Sequence, residues 1–282
     1  MASETIEQLL RSTLVLVAHP DDESVGCGIL LQRVKDASVL LSTDGASILL
    51  CTDGAPARAR PWYTRTFHNR EKYARRRLAE VRAASNVVGV RKLITTGIQD
   101  QMLYRSLDRA AAIIARYVIE NRPDSILSHA FEAGHPDHDC CAFLARWAGR
   151  KFSLPVWEMP LYYRPTPSSP LIYQQFLRSI GNETSFCPAP DELRRKELML
   201  SQHRSQAAVI SEFNKTRELF RPQPPYDFSV NPNPALSTFA VCDNVAIANV
   251  LESFRSFGAI EEATSDLRRL NDFIAQSGDT FV

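Results

Sequence analysis

Residues 13–18 of the sequence are TLVLVA, and residues 19–23 directly after them are HPDDE. An unbroken run of leucine and β-branched residues is typical of a strand that is buried on both faces. The polar cluster therefore begins where this strand ends. In open α/β sheets, ligands bind at the carboxyl ends of the strands, so residues 19–23 are predicted to lie at the functional edge of a sheet.

A second polar cluster, HPDH at residues 135–138, follows a second predicted strand, SILS at residues 125–128. Proline suits the first position of a helix and the residue before it suits the cap, so a helix is predicted to begin at Pro136 with His135 as its N-cap. Either cluster alone could serve only as a helix cap. Two clusters at two strand ends favour a catalytic zinc site, because their four carboxylates would repel one another without a cation.

The chain alternates between predicted strands and helices up to about residue 150. Four helices and one further short strand are predicted: Ser24–Lys35, Asn69–Val88, Ser106–Glu120 and His135–Arg150, with the strand at Lys92–Thr95. Two short apolar runs, Val39–Leu41 and Ile48–Cys51, are each followed by the turn sequence TDG. This alternation predicts parallel βαβ units with right-handed crossovers. The predicted fold class is α/β, a Rossmann-like three-layer sandwich with a mostly parallel sheet.

The composition changes after about residue 150. Twelve of the seventeen prolines lie between Pro155 and Pro234, a stretch with a single glycine. Proline-rich, extended segments suit edge strands and ordered loops better than further βαβ units. Two helices are predicted in this half, over Asp191–Gln206 and Asn244–Phe257. We expect a catalytic core at residues 1–154 and a proline-rich cap with a C-terminal extension at residues 155–282, packed together as one structural unit.

Length and composition narrow the class of protein. The chain has 282 residues, of which 44% are hydrophobic and 23% charged, as in an ordinary globular protein. The longest apolar stretch near the N-terminus, Leu14–Ala18, is far shorter than the roughly 20 residues of a membrane span, and no basic start typical of a signal peptide precedes it. The six cysteines form no CxxC pair, which predicts reduced, mostly buried thiols and a cytoplasmic protein.

The charge is unevenly distributed along the chain. The net charge is +1, yet the segment Arg58–Lys92 holds eleven lysines or arginines against Glu71 and Glu80. Such a block could meet an anionic substrate, a nucleic acid or a membrane surface, while the plainer interpretation is a solvated helix face. Few aromatic residues are interleaved with these cations, so a nucleic acid is not expected as a partner.

The two polar clusters resemble the signatures of the PIG-L (LmbE-like) zinc N-deacetylases. The resemblance rests on AHPDDE at residues 18–23 with GCG at residues 26–28, and on GHPDH at residues 134–138. Three shorter matches support it: TDG at residues 52–54, RLAE at residues 77–80 and HRSQ at residues 203–206. The family includes de-N-acetylases of N-acetylglucosaminyl phosphatidylinositol and of precursors of bacterial low-molecular-weight thiols.

The resemblance implies a role for each matched residue. It makes His19, Asp22 and His138 the zinc ligands and leaves Asp21 free as the general base. It also places His135 beside the reacting carbonyl group.

Two further residues receive roles from the same resemblance. Asp137 would hydrogen-bond a metal-binding histidine and so adjust its orientation and basicity. Arg77 would contact hydroxyl or phosphate oxygens of the substrate. One position departs from the family pattern, because some members carry a tyrosine two residues before the equivalent of His135, where this chain has Ala133. The group that polarises the carbonyl together with Zn²⁺ and His135 is therefore left open.

Three other side chains near these motifs are expected to support the site without reacting. His129 ends its strand and is interpreted as a core or supporting histidine in preference to a ligand. Glu23 is expected to hold the first loop through backbone N–H groups, and His203 to support the site from a cap helix. His68 is interpreted as a surface residue.

The implied activity is that of a zinc-dependent amide hydrolase acting on carbon–nitrogen bonds other than peptide bonds. It would remove the N-acetyl group from a small N-acetylglucosamine-type sugar or glycoconjugate, giving acetate and a free amine. Two alternatives use the same residue types. One is a metal-dependent phosphoesterase, which usually brings two metals and more ligand clusters, and the other is a non-catalytic sugar- or phosphoinositide-binding protein. A homo-oligomer is compatible with each of these functions.

Overall fold

The computed structural model describes residues 9–41, 45–56, 69–90 and 92–263. The strands, in chain order, are β1 (Thr13–Val17), β2 (Ala46–Leu50), β3 (Lys92–Thr95), β4 (Ser125–His129), β5 (Val156–Met159), β6 (Tyr162–Tyr163), β7 (Ile172–Tyr173), β8 (Thr184–Phe186), β9 (Glu218–Pro222), β10 (Thr238–Phe239) and β11 (Cys242–Ala246). The α-helices are α1 (Asp22–Leu41), α2 (Arg70–Val87), α3 (Leu107–Asn121), α4 (Pro136–Phe152), α5 (Pro190–Gln202), α6 (Ala207–Ile210) and α7 (Ile247–Ala263).

A seven-stranded sheet with the order β3-β2-β1-β4-β5-β9-β8 forms the middle layer. Strands β1 to β5 are parallel to one another, and β9 and β8 join the β5 edge in antiparallel pairs. The order 3-2-1-4-5 is that of a Rossmann fold, and its direction reverses between β1 and β4. The predicted α/β class with a mostly parallel sheet is therefore confirmed.

Both faces of the sheet are covered, which explains the continuous apolar run in β1. Leu14 and Leu16 face the core formed with α3, α4 and α7. Val15 and Val17 face the opposite core, which is formed with α1 and α2. Successive side chains of a strand point to opposite faces, so a strand between two helical layers needs an apolar residue at every position.

Three predicted elements differ from the structure. The run Val39–Leu41 ends α1 and forms no separate element, because three apolar residues are too few to distinguish a strand from a helix. The helix predicted over Asn244–Phe257 begins at Ile247, since Cys242–Ala246 pairs with β10. The helix predicted over Asp191–Gln206 ends at Gln202 and is followed by a 3₁₀ turn at residues 204–206.

The spacing of Ala74, Leu78, Val81, Ser85 and Val88 predicts an apolar stripe on α2, and the buried face of the helix differs from that stripe in part. Ala74 and Leu78 of that stripe are only half-buried, whereas the charged residues Arg77 and Glu80 are buried. Both charged residues are expected to flank the stripe, because burial of a charge requires a partner. Glu80 is paired with Arg76 on the same helix, whereas Asp21, the partner of Arg77, lies on a distant segment of the chain.

Residues beyond position 154 contribute to both the sheet and its surroundings. Strands β5, β9 and β8 extend the central sheet, while β6 pairs with β7 and β10 with β11. One sheet thus spans the predicted boundary between core and cap, and that boundary stays a prediction. In the described part of the chain, no helix has both the length and the apolar composition needed to cross a membrane. Five of the six cysteines are buried and Cys187 is exposed, as expected for mostly buried thiols.

A buried ion pair between Lys196 and Glu218, from the second half of the chain, binds backbone groups at a kink in α1. The helix is kinked at Cys27, where the backbone is not helical. The carboxylate of Glu218 accepts hydrogen bonds from the backbone N–H groups of residues 29 and 30, at 2.8 and 3.0 Å. Lys196 Nζ donates to the carbonyl of Val25 at 3.0 Å and lies 2.6 Å from Glu218 Oε1. The pair therefore replaces hydrogen bonds that the kink removes from the helix.

Replacing Lys196 with methionine should destabilise the protein strongly, because it leaves the buried carboxylate of Glu218 without its cation. We expect the free energy of unfolding to fall by about 3–5 kcal/mol, measured by urea denaturation followed by circular dichroism. Arg194 lies on the same helix and pairs with Asp191 at the surface. Arg194→Met is the matched control and should change the free energy of unfolding by less than about 1 kcal/mol. Equal losses in the two variants would contradict the role given to the buried pair.

Candidate metal centre and active site

The loops after β1 and β4 bring the two polar clusters together at the switch point of the sheet. Residues 19–22 follow β1 directly and lead into α1. After β4, a loop leads to α4, which begins at Pro136 with His135 as its N-cap, as predicted. His135 Nδ1 accepts a hydrogen bond from the backbone N–H of Asp137 at 3.2 Å. The cap therefore fixes the orientation of the His135 ring.

Three side-chain atoms form a small triangle between these loops. His19 Nδ1 lies 3.3 Å from Asp22 Oδ2 and 3.2 Å from His138 Nε2, and His138 Nε2 lies 3.4 Å from Asp22 Oδ2. In a tetrahedral zinc site with bonds of about 2.0–2.1 Å, neighbouring donor atoms lie about 3.3–3.4 Å apart. The three atoms thus have the mutual spacing that a single tetrahedral zinc ion requires.

Two carboxylates hold the other nitrogen of His19. His19 Nε2 lies 3.2 Å from Asp100 Oδ1 and 3.4 Å from Asp137 Oδ2. A carboxylate at Nε2 stabilises the tautomer that carries its hydrogen there, which leaves the lone pair of Nδ1 directed at the triangle. Metal-binding histidines are commonly oriented in this way.

Asp100 was not among the residues singled out from the sequence. It lies in the loop after β3 and is buried against the histidines, with His135 Nε2 3.5 Å from its Oδ1. The available signal was weak, because Asp100 is a single carboxylate five residues beyond the end of a short strand. Only the path of the loop brings it to the site.

Asp137 is held rigidly behind the triangle. Its Oδ2 accepts a hydrogen bond from the backbone N–H of Gln101 at 2.6 Å, and its Oδ1 accepts one from Leu103 at 3.2 Å. These bonds fix the carboxylate against the loop after β3 and beside His19. Asp137 therefore occupies a position from which it can tune His19.

Asp21 lies outside the triangle and is bound by Arg77. Arg77 Nη2 lies 2.8 Å from Asp21 Oδ1 and donates to the carbonyl of Pro20 at 3.2 Å, while Nη1 donates to the carbonyl of Gly54 at 2.6 Å. Gly54 has a φ of +66°, and a Cβ there would lie 2.4 Å from the guanidinium, so only glycine fits. Arg77 lines the cavity described below, and its described contacts hold Asp21 in place. Its predicted contact with the substrate stays a prediction.

Burial and neighbouring charges shift the pKa values in this cluster. Burial raises the pKa of Asp21 to about 6, against the opposing effect of Arg77. Burial alone would raise the pKa of Asp22 too, but His138 and His19 hold it well below its usual value. Burial lowers the pKa of His138. Burial lowers the pKa of His19 as well, but Asp100 and Asp22 outweigh it and raise that pKa well above its usual value, so a metal cation would take the place of a proton on His19.

His129 supports the triangle from behind. Its Nε2 lies 3.3 Å from Asp22 Oδ2, so distance alone would admit it as a ligand. The same nitrogen, however, accepts a hydrogen bond from the backbone N–H of Ala18 at 3.0 Å, which uses its lone pair. The ring stacks on that of His138 with centroids 4.0 Å apart. This geometry agrees with the interpretation of His129 as a supporting histidine.

The segment at residues 203–206 reaches the site from the second half of the chain. His203 is fully buried, with Nε2 2.8 Å from Ser24 Oγ. Ser205 Oγ donates to the carboxylate of Glu80 at 2.6 Å, in addition to the ion pair that Glu80 forms with Arg76. On the first loop, Glu23 Oε2 accepts a hydrogen bond from the backbone N–H of residue 21 at 3.1 Å, as expected.

Tyr162 lies beside the segment of Ala133 and Gly134, and Ala133 is the position at which this chain departs from the family pattern. Ala133 has a φ of +57° and no side chain that could polarise a carbonyl. A Cβ on the next residue, Gly134, would lie 2.0 Å from the carbonyl oxygen of Tyr162, so glycine is required for the close approach of the two loops. The Tyr162 ring lies 5.1 Å from that of His138. The structure thus brings a phenol to this end of the site from β6.

The site opens into a cavity of about 690 Å³ that is lined by His19, Asp21, Asp22, Arg77, Asp100, His135 and Tyr162, among others. A volume of this size is typical of a site for a small-molecule ligand.

The basic block lies only partly within the described residues. Residues 57–68 and 91, including Arg58 and His68, lie outside them. Some of the described cations have acidic partners: Arg70 with Asp53, Arg76 with Glu80 and Arg77 with Asp21. Lys72, Arg75 and Arg82 are exposed, which agrees with the interpretation of the basic block as a solvated helix face.

Two solved structures have a similar fold. The A40926 pseudoaglycone deacetylase Dbv21 has a TM-score of 0.57 and 16% identity, over 75% of this chain and 96% of its own. GalB, the 4-carboxy-2-hydroxymuconate hydratase from Pseudomonas putida KT2440, has a TM-score of 0.53 and 16% identity, over 71% of this chain and 82% of its own. Because a deacetylase and a hydratase share this fold, the fold alone leaves the reaction open.

The sequence comparisons point to one family. A curated relative, the probable N-acetyl-alpha-D-glucosaminyl L-malate deacetylase 2 of Bacillus cereus, is 27% identical over 204 residues, which are 72% of this chain and 86% of the relative. The family model PIG-L, described as GlcNAc-PI de-N-acetylase, matches residues 14–148, which contain both polar clusters. Residues 14–148 thus match the PIG-L family model, and the chain has a fold similar to that of a solved deacetylase.

Proposed function

We propose that this protein is a zinc-dependent deacetylase that removes the N-acetyl group from an N-acetylglucosamine-type sugar conjugate, giving acetate and a free amine. The observation that carries the proposal is the triangle of His19 Nδ1, Asp22 Oδ2 and His138 Nε2, with edges of 3.2–3.4 Å. The description of the family as a de-N-acetylase and the name of the Bacillus cereus relative support the substrate class.

The donor set fits zinc. Two imidazole nitrogens and one carboxylate oxygen are typical ligands of catalytic zinc, whereas calcium and magnesium prefer oxygen ligands alone. His19, Asp22 and His138 would hold the ion and leave one of four positions open, as catalytic sites require. When bound, Zn²⁺ supplies Lewis-acid chemistry, which lowers the pKa of a water molecule and polarises the acyl oxygen.

Asp21 is placed to act as the general base. Its Oδ1 is held by Arg77, which leaves Oδ2 outside that ion pair, and its carboxylate lines the cavity. Oδ2 can take one proton from the attacking water as the water oxygen bonds to the acyl carbon. The same proton can then pass to the nitrogen as the carbon–nitrogen bond breaks, so that acetate and the free amine result.

Two donors are placed to stabilise the negative charge that develops on the acyl oxygen. Nδ1 of His135 accepts the hydrogen bond of its own helix cap, so in the neutral ring Nε2 carries the hydrogen and can donate it. Tyr162 can supply the second donor, the role that Ala133 cannot fill. Tyr73 also lines the cavity, and its hydroxyl oxygen accepts a hydrogen bond from Nε2 of Gln206.

The two alternatives predict other outcomes. A two-metal phosphoesterase needs a second ion about 3.5–4 Å from the first. Among the described residues, three donor groups could hold an ion: His19 with His135 and His138, His19 with Asp100, His135 and Asp137, and Asp22 with His129 and His138. Each of them shares at least one residue with the triangle. A protein that only binds sugars does not need a general base, whereas Asp21 is held beside the triangle by Arg77. Measuring acetate and phosphate release on N-acetylated sugars and sugar phosphates separates the three functions.

Zinc should bind in a ratio of about one ion per chain, because the triangle provides one complete set of ligands. His138→Ala removes one of three ligands and should lose the metal, measured by atomic absorption after dialysis. His203→Gln is the control, since His203 is buried near the site but contacts Ser24 outside the triangle. Full zinc content in His138→Ala, or loss of zinc in both variants, would contradict the assigned ligands.

Asp21→Asn should retain zinc and lose roughly 10²–10⁴-fold in kcat, the range for loss of a general base. The measurement is acetate release from methyl N-acetylglucosaminide, with zinc content determined on the same sample. Turnover close to that of the wild type would assign Asp21 a structural role instead. If the wild type with one zinc per chain releases no acetate from any N-acetylglucosaminide, the proposed deacetylase activity is wrong.

Arg77→Lys should lower kcat and leave the zinc content unchanged. A lysine cannot bond the carbonyl of Gly54, the carbonyl of Pro20 and the carboxylate of Asp21 with the fixed geometry of a guanidinium. We expect a decrease of about tenfold or more, since small displacements of a catalytic group are costly. Arg75→Lys, on the exposed face of the same helix, is the control and should have wild-type kinetics. Equal kcat values for Arg77→Lys and wild type would show that the position of Asp21 does not depend on Arg77.

A further inference from the structure

The cavity at the candidate metal centre has two chemically different parts. One part contains the histidines, the carboxylates and Arg77. The other part, here named the apolar arm, is lined by Val25, Leu171, Tyr173, Ile210, Phe213 and Val241. Apart from Val25, these residues follow position 154 and belong to the segments around β7, α6 and β11. The second half of the chain therefore builds a hydrophobic wall onto a polar catalytic end.

The apolar arm is continuous with the metal centre. Tyr162 connects the two, because its ring lies 5.1 Å from that of His138 and 6.2 Å from those of both Tyr173 and Phe213. Tyr173 and Phe213 contact each other edge to face at 4.8 Å. The arm thus begins one aromatic ring away from a candidate zinc ligand, within reach of the remainder of a substrate whose amide lies at the metal.

The charges around the arm disfavour an anionic occupant. Among the described residues that line the cavity, Arg77 is the only lysine or arginine, and its guanidinium is bonded to Asp21 and to two backbone carbonyls. Glu212 adds an exposed carboxylate to the lining of the cavity. A carboxylate or phosphate in the arm would leave water without gaining a cation from the described lining residues, and it would be repelled by Glu212.

We propose that the substrate carries an apolar, uncharged aglycone and that the apolar arm binds it; this inference rests on the proposed deacetylase function. The group removed is acetyl, whose two carbons end at the metal centre, so the arm receives the other end of the substrate. Burial of apolar surface from the aglycone against aromatic and aliphatic side chains supplies the binding energy. The substrate class is thus an N-acetylglucosaminide of an aryl or alkyl alcohol, in contrast to a conjugate with a dicarboxylate such as malate.

The test uses zinc-loaded full-length protein and four glycosides that differ only in the aglycone: methyl, phenyl, octyl and malyl. Binding of the deacetylated amines is measured by calorimetry, and kcat/KM of the N-acetylated forms by acetate release. We expect phenyl or octyl to exceed methyl by about tenfold or more in both measurements, and malyl not to exceed methyl. Leu171→Asp should reduce the preference for phenyl and octyl, because it places a carboxylate in the arm. Ile119→Asp, at an exposed position on α3 away from the cavity, should preserve the preference.

Each other outcome has a defined meaning. Equal binding of methyl, phenyl and octyl, or tighter binding of malyl, would overturn the inference. Faster hydrolysis of an N-octanoyl than of an N-acetyl methyl glucosaminide would place the acyl chain in the arm and would also overturn it. Preferential binding of the phenyl or octyl amine without any acetate release would support the arm and contradict the proposed hydrolase, so the two failures are distinguishable.

Discussion

At the carboxyl ends of β1 and β4, the carboxylates of Asp22, Asp100 and Asp137 surround His19 at distances of 3.2–3.4 Å, and all four residues are almost inaccessible to water. Burial of an ionised carboxylate costs several kcal/mol unless hydrogen bonds and opposite charges compensate it. Backbone N–H groups compensate Asp137, and the histidines compensate the others. A divalent cation at the triangle would complete the compensation. Much of the surrounding structure provides partners for buried charges.

The same requirement ties the second half of the chain to the first. Glu80 is buried on α2 and accepts hydrogen bonds from Ser205 as well as from Arg76 on the same helix. The kink in α1 receives its replacement bonds from Lys196 and Glu218. Because removal of one partner would leave a buried charge or an unpaired backbone group, the segments beyond residue 154 are needed for the folding of the site as well as for its shape.

The reaction is decided by the site and not by the fold. A hydratase and a deacetylase have folds similar to that of this chain, so the sheet and its helices do not select the chemistry. In the proposed function, three features select it: the triangle of donor atoms, a carboxylate held beside it by Arg77, and a histidine whose cap bond places the ring hydrogen on Nε2. A fourth feature, the apolar arm, concerns the substrate and, apart from Val25, lies on segments beyond residue 154.

The sequence by itself determined the fold class and most of the catalytic end. The run at residues 13–18 marked a strand buried on both faces, and Pro136 marked the start of α4, because these signals depend only on local periodicity and backbone geometry. The strand-end position of the two clusters was sufficient to bring His19 and His138 together. Only the tertiary structure decided that Asp100 joins them, that Arg77 is buried and bound to Asp21, and that Tyr162 links the histidines to an apolar arm. These features depend on the paths of loops and on contacts between distant segments. The local sequence around a single charged or aromatic residue does not indicate which distant residue it will contact.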